Sequence, residues 1–399
     1  MRLKGAIGID IGSESVKAVA LEMVPGEKSA RVVGVGAALT KGVKKGAVTE
    51  PEEAAKGLKE AMAALEKSTG IKSGDVYVGM GGAGLAFQKS KGLVAVSRAD
   101  GEITKEDMAR AISASETNLT RLQNREILHK FPVLFRIDNE TIARDPVGLT
   151  GVRLETEVLF ITSFSQNLKN AIKALEEADI YIEEIIASPL AAAHAVLEPR
   201  EKEVGVMLLD LGASTTSVIL FEEGLPYSLE VFPFGSSHIT QDIAMGFRIT
   251  LEEAEKIKIN NGAVRHDAPP NKKSDLVYGN YSKKKLAEII EARLDDIFEL
   301  VEKHLKKVER AGLLPGGVVI VGGGANLPGI EEFAKERLKL HARVAKPAAL
   351  EGFRDKVRNP AWSVAVGTAL MALEKETALS PFLRGRSGSF FKWLRAFLP

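Results

Sequence analysis

Two stretches of this chain, one near the start and one past the middle, carry the same alternation of apolar and polar positions. The first is Gly5-Ala-Ile-Gly-Ile-Asp10-Ile-Gly12-Ser13-Glu-Ser15-Val-Lys17-Ala-Val-Ala-Leu. The second is Val204-Gly-Val-Met-Leu-Leu-Asp210-Leu-Gly212-Ala213-Ser214-Thr215-Thr216-Ser217-Val-Ile-Leu-Phe. Each reads as an apolar strand ending in Asp, a tight turn of glycine and small hydroxyl residues, and a second strand. Elsewhere the pattern predicts a helix over Pro51–Ser68 and a buried strand over Asp75–Met80. A helix over Lys105–Ser115 is expected to start at a capping box, since Thr104 precedes Asp107 by three positions. Strands follow over Leu128–Ile137 and up to Thr162, then helices over Asn167–Ala178 and Pro189–Leu197. Beyond the second hairpin come a helical stretch Ile239–Asn260, a polar segment Arg265–Tyr281 and a long helix from Lys283 to about Ala311. Gly316–Ala325 predicts a strand and a glycine turn. Two similar α/β lobes, each with an accessory subdomain, account for this order.

The C-terminal end follows a different rule. Thr377–Ser389 contains Pro381, Gly385, Gly388 and three serines, and reads as a flexible linker. After it, Phe390, Trp393, Leu394, Phe397 and Leu398 fall on one helical stripe. From Ser380 onward the charges are Arg384, Arg386, Lys392 and Arg395, with no acid. An apolar stripe flanked by cations predicts an amphipathic helix that lies in the interface of an anionic membrane. A helix this short is marginal in water and each basic residue adds only ~1 kcal/mol, so one tail binds reversibly and several on a polymer bind by avidity.

Composition sets bounds on these readings. The chain has 399 residues, 45% hydrophobic and 27% charged, with a net charge of +1. This leaves room for two or three domains and gives no reason to expect nucleic-acid binding. With no cysteine, disulfides and thiolate metal sites are excluded, and a reducing compartment fits. No apolar run reaches the ~18–20 residues that span a bilayer, and a strand follows Met1-Arg2-Leu3-Lys4 at once, so a soluble or peripheral protein without a signal peptide is expected. The six histidines show no ligand spacing.

The chemistry suggested by the hairpins is phosphate binding. Glycine–hydroxyl turns can aim backbone N–H groups at phosphate oxygens, while Asp10 and Asp210 face Mg²⁺ through water. A third element, Val319-Ile-Val-Gly322-Gly323-Gly324-Ala325-Asn326-Leu327-Pro328-Gly329, offers side-chain-free backbone against which a flat adenosine can lie. No Gly-x4-Gly-Lys-Ser/Thr run exists, so a P-loop is excluded. Glu255 and Lys258, three apart on one helix, share a face and can reach one ligand.

In this order the parts resemble the actin/Hsp70/sugar-kinase ATPase superfamily, with the connecting helix at Ser188-Pro-Leu-Ala-Ala-Ala. Ile103-Thr-Lys-Glu-Asp107, Pro146-Val-Gly148-Leu-Thr-Gly151-Val-Arg-Leu154-Glu, Ile239-Thr240-Gln-Asp242, Ala254-Glu255-x-Ile257-Lys258 and Ser363-Val-Ala-Val-Gly367 look like the bacterial cell-division FtsA family. The resemblance implies an actin-like fold: a first lobe over 1–81 and 163–198, an inserted accessory subdomain over 82–162, and a second lobe over 199–376 with its own accessory part at about 243–312. A linker over 377–389 and the membrane helix over 390–399 complete it.

The same resemblance implies ATP and Mg²⁺ as cofactors. Asp10 and Asp210 match the magnesium-facing aspartates, Gly12, Ser13 and Lys17 the first phosphate loop, and Gly212, Ser214 and Thr215 the second. Gly235 matches a glycine near ribose and phosphates, Glu255 and Lys258 the adenosine-side helix, and Gly323, Gly324 and Asn326 the adenine turn. Three residues depart from the pattern. Ala213 replaces a usual glycine, Ser217 a common acid, and Ser188 a chaperone glutamate near the attacking water, so at most a slow ATPase is expected. As partners the resemblance implies the C-terminal peptide of FtsZ at Arg293, Lys284 and Lys285, other copies of the chain in a filament, other division proteins, and the cytoplasmic face of the inner membrane at the division site. Rival readings are a PilM-like type IV pilus scaffold and a sugar-kinase or chaperone-type ATPase.

Overall fold

One sheet plan is used twice. A computed structural model describes residues 2–24, 29–70, 73–119, 123–142, 145–265, 276–278, 281–347, 350–352 and 354–376. The linker, the membrane-helix residues Phe390, Trp393, Leu394, Phe397 and Leu398, and Lys272-Lys273 lie outside the described residues. In the first sheet the strands run Glu184–Ala187, Ser73–Met80, Arg2–Ile11, Ser15–Met23, Ala30–Leu39 and Leu350–Gly352 in spatial order. In the second they run Ala342–Val344, Val318–Val321, Val206–Leu211, Thr216–Glu222 and Leu225–Phe232. Both contain an antiparallel three-strand meander whose first strand takes a parallel neighbour, itself followed by a second parallel strand. Val206–Leu211 is an almost unbroken apolar run because the centre of such a sheet is covered on both faces.

The helices Ser188–Val196 and Ser363–Glu376 lie in a core shared by both sheets, where Ala191, Ala365 and Ala369 pack with Ala6, Val19, Val319 and Val321. They press together at Gly367, where a Cβ would sit 1.7 Å from the carbonyl oxygen of Ala191. An added methyl group cannot be accommodated there without separating the helices, a change that typically costs about 1–3 kcal/mol.

A third sheet, Ala86–Ala95, Arg153–Phe164, Arg125–Ile137 and Glu140–Ile142, is covered by the helix Lys105–Thr117 and has its own core of Ile103, Ala111, Phe135, Ile137 and Leu154. At its base, Arg125 donates to Gly84 O at 2.6 Å and Thr162 Oγ1 at 2.9 Å, fastening the two chain crossings together. His129 Nε2 accepts from the buried Ala187 N–H at 3.0 Å. Lys89 Nζ lies 4.6 Å from the ring centre of Tyr227, so this sheet touches the second lobe as well.

Several expected elements shift. The predicted helix Ile239–Asn260 is two helices, Ser236–Phe247 and Leu251–Asn261, because Arg248 takes a left-handed φ of 54° and Thr250 caps a new start. The long helix ends at Lys307, and the glycine turn continues as a short 3-10 turn Gly323–Asn326 before a helix at Ile330–Leu338.

The predicted capping box is present. Thr104 Oγ1 accepts from Asp107 N, and the fully buried Asp107 carboxylate accepts from Thr104 N (3.0 Å), Ser97 N (3.1 Å) and Arg110. Burial alone would push its carboxyl up, yet these donors hold it well below the usual carboxylate range. A depressed folded pKa means that the unfolded chain takes up the proton first, so this stabilisation is complete above the unfolded value of ~3.9 and is lost as pH falls below it. We expect Asp107→Asn to lower the unfolding midpoint at neutral pH and to show a weaker loss of stability on acidification than the wild type. Parallel urea curves at pH 7 and pH 3 check this, and equal pH slopes would refute it.

Candidate functional site

The two hairpins close alike. Gly12 N donates to Ser15 O at 3.2 Å, and Gly212 N donates to Thr215 O at 2.9 Å. In register, Asp10 stands opposite Lys17 and Asp210 opposite Ser217. Both turns open on one cleft of about 500 Å³. Asp10, Gly12, Ser13, Lys17, Gly212, Thr215, Glu255, Lys258, Gly323, Gly324 and Asn326 all line it together with Asp210. The turns also touch, since Ser13 Oγ accepts from Ser214 Oγ at 2.6 Å and from Gly46 N at 3.1 Å. Ser214 thus stands beside the cleft through Ser13.

Gly235 lies one layer behind, extended, where a Cβ would come 2.6 Å from the carbonyl oxygens of Gly212 and Ala213. The helix that starts after it ties down the second turn: Ser236 N reaches Gly212 O at 2.9 Å and Ser237 N reaches Ala213 O at 2.8 Å. Ala213 does not adopt a positive φ, so its Cβ causes no left-handed strain in place of glycine. Among the described residues, the N–H groups of Ser13, Glu14, Ala213 and Ser214 find no protein acceptor. Unpaired turn N–H groups of this kind suit an anion.

The charges on the floor do not balance. Lys17 Nζ is 3.7 Å from Asp10 Oδ2 and is shared electrostatically with Asp210. Burial pushes the Asp10 carboxyl up, with Lys17 opposing. Asp210, which has Ser217 where Asp10 has a lysine, is pushed up to about 7, first by burial and then by Asp10. A divalent cation would supply the missing charge, and two carboxylates are hard oxygen donors of the kind Mg²⁺ takes. Gly322, at φ +88°, lies against Asp210 so closely that a Cβ would be 2.3 Å from its Oδ1. Beside it, nothing lies within 4 Å of a Cβ placed at Gly323, which leaves the turn open to a flat group.

Glu255 and Lys258 meet each other first. The buried Lys258 ammonium donates to Glu255 Oε2 (2.7 Å), Thr240 Oγ1 (2.8 Å) and Ser236 O (3.2 Å). Three acceptors satisfy its three donors, so the lysine holds the cleft edge of Glu255 and the helix start at Ser236 together.

Of the partner residues, Arg293 makes a bidentate clamp to Asp242 at 2.6 and 3.0 Å and a further bond to Asp296 at 3.1 Å. It joins the helices Ser236–Phe247 and Lys283–Lys307. Lys284 and Lys285 are exposed at the start of the second of these helices, and Lys285 lies 3.6 Å from Glu288. Sequence reasoning missed Asn359, Pro360 and Ala361, which line the cleft beside the glycine turn, with Gly322 N donating to Pro360 O at 3.1 Å. The Asn359-Pro360 pair is a turn signal that could have marked them.

Removing the ammonium in Lys258→Met leaves the Ser236 carbonyl and the Glu255 carboxylate to share the single hydroxyl hydrogen of Thr240. We expect a loss of about 1–3 kcal/mol in urea denaturation. A loss below roughly 0.5 kcal/mol would mean that the network does not hold this edge of the cleft.

A family model described as "Cell division protein FtsA" matches residues 207–367, and one described as "SHS2 domain inserted in FTSA" matches residues 82–162. The chain is 32% identical to the cell division protein FtsA of Pseudomonas aeruginosa over 382 residues, covering 94% of this chain and 90% of that one. With FtsA of Bacillus subtilis it is 33% identical over 368 residues, covering 90% and 82%. Among solved structures, the PilM-PilN type IV pilus biogenesis complex is similar at a TM-score of 0.67 and 20% identity, over 93% of this chain and 99% of that one. MreB5 of Spiroplasma citri bound to ADP gives 0.55 at 13% identity, over 94% and 99%. These two likenesses are of fold alone, and the fold is the actin-like one. Sequence and architecture agree: the chain belongs to the FtsA family of cell-division proteins.

Proposed function

We propose that this chain is an ATP- and Mg²⁺-binding actin-like scaffold that self-assembles and tethers FtsZ filaments to the cytoplasmic face of the membrane at the division site. The observation that carries the reading is the pair of buried carboxylates, Asp10 and Asp210, brought by duplicated hairpins onto one cleft with a single lysine close by. Bound Mg²⁺ would supply the positive charge that the floor lacks. The turns at Gly12–Ser13 and Gly212–Thr215 would hold phosphates through backbone N–H groups, Glu255 with Lys258 would flank the ribose side, and Gly323, Gly324 and Asn326 would receive the adenine. Ser188, buried on the cleft wall, presents a hydroxyl where a water-activating carboxylate would be needed, so ATP acts here chiefly as a structural ligand.

A thermal-shift series tests the cleft. ATP with Mg²⁺ at a hundred times its dissociation constant should stabilise by about 2.7 kcal/mol. EDTA or Asp10→Ala should abolish most of that gain. An unchanged melting curve on adding Mg²⁺-ATP to the wild type would end the nucleotide reading.

For the partner, the exposed Lys284 and Lys285 offer positive charge to the FtsZ tail, Lys285 sharing its charge with Glu288 and Arg293 with Asp242. An FtsZ C-terminal peptide is expected to bind the wild type several-fold more tightly than Arg293→Glu or the double variant Lys284→Glu/Lys285→Glu. Equal affinity for all three removes this surface. Tethering requires residues 390–399 to carry the chain onto anionic vesicles, and co-sedimentation that survives their deletion would overturn that part.

A further inference from the structure

Beside the glycine turn, Asn326 and Asn359 face each other amide to amide across the cleft wall. Asn326 Nδ2 donates to Asn359 Oδ1 at 3.2 Å, and Asn359 Nδ2 donates back to Asn326 Oδ1 at 3.3 Å. An amide can usually be flipped end for end, but two backbone groups forbid it here. Ala361 N–H donates to Asn359 Oδ1 at 2.9 Å, and a backbone N–H has no other role to play. The carbonyl of Gly323 accepts from Asn326 Nδ2 at 3.0 Å, and a carbonyl can only accept. Both orientations are therefore fixed by the chain itself.

With the orientations fixed, the remaining capacity can be counted. Asn326 Nδ2 has spent both hydrogens, on Gly323 O and Asn359 Oδ1. Asn359 Oδ1 has spent both lone pairs, on Ala361 N and Asn326 Nδ2. What is left is one hydrogen on Asn359 Nδ2 and one lone pair on Asn326 Oδ1. Both side chains line the cleft; Asn326 is exposed and Asn359 half-buried.

We propose that this locked amide pair selects the base: Asn326 Oδ1 accepts from the exocyclic amine of adenine, and Asn359 Nδ2 donates to the adjacent ring nitrogen. A donor beside an acceptor is the pattern by which an asparagine amide reads adenine. A guanine held in the same pose carries a carbonyl oxygen where adenine carries its amine. That oxygen would face Asn326 Oδ1, acceptor against acceptor, and the amide cannot turn to relieve it. Asn359 thereby becomes a specificity determinant, acting together with the glycine turn rather than through the phosphates.

The inference rests on the reading of the cleft as a nucleotide site, and the test separates the two. Affinities of Mg²⁺-ATP and Mg²⁺-GTP are measured by calorimetry on the full chain, on Asn359→Asp and on Asn326→Leu. Asn359→Asp keeps an oxygen for Ala361 N–H, so the local turn is retained, but it replaces the free donor with an acceptor. Its added negative charge weakens both nucleotides alike, so the ATP-to-GTP ratio is the readout. The wild type should prefer ATP, and each variant should lose about tenfold of that preference, the equivalent of ~1.4 kcal/mol. Melting temperatures taken alongside establish that both variants are folded. A preference for ATP that is unchanged in both variants overturns the base-selection proposal and leaves the nucleotide site standing, as does a wild type that binds the two nucleotides equally. A wild type that binds neither overturns both.

Discussion

Two carboxylates and one ammonium on the floor of a single cleft are the constraint around which this structure is arranged. Asp10 is held opposite Lys17 by strand register, and Asp210 is held opposite Ser217 by the same register in the second sheet. Because the hairpins are topological copies, bringing the lobes together necessarily brings like charge to like charge. Nothing in the apolar strands beneath can relieve that, since Ile9, Leu209 and Leu211 are wholly or almost wholly buried. Without a ligand the strain shows as the raised Asp210 carboxyl, and a bound cation would relieve it.

Around that floor the two lobes divide the labour unevenly. The first supplies the lysine and, through Gly46 N, a tie from its second turn segment to Ser13. The second supplies the network of Lys258, Glu255, Thr240 and Ser236, which braces one wall from behind. The inserted sheet stands away from the cleft but is fastened to both lobes, to Ala187 through His129 and to Tyr227 through Lys89. Ala187 is the residue immediately before Ser188, so the insertion is one peptide away from the cleft wall.

Features carried by local pattern were legible in the sequence. The twin hairpins, the glycine turn and the Thr104–Asp107 cap depend on residues a few positions apart, and strand alternation or cap spacing announces them directly. Asp10, Gly12, Asp210 and Gly212 reach one cleft because each sits at or just past the end of a central strand that the sheet plan points the same way. What sequence could not reveal depends on distant partners. Arg248 breaks the helix in a left-handed conformation that arginine has no intrinsic preference for, and the Thr250–Glu253 capping box that restarts it went unread. Arg293 looked like a free cation because Asp242 is 51 positions away. Glu255 and Lys258 were read as two hands for one ligand, whereas the lysine is already occupied by three neighbours. Asn359 lay in a stretch with no periodicity of its own.

The tight seating of Gly367 against Ala191 bears on how the molecule carries load. The helix Ser363–Glu376 is the last described element before the stretch that continues to Pro399, and it is wedged into the core common to both lobes. Tension pulled through that C-terminal stretch would enter the protein along this helix axis. It would be resisted first by backbone-to-backbone contact, where there are no long side chains to stretch. Such a joint is stiff in shear, so force would reach both halves of the molecule together instead of peeling one from the other.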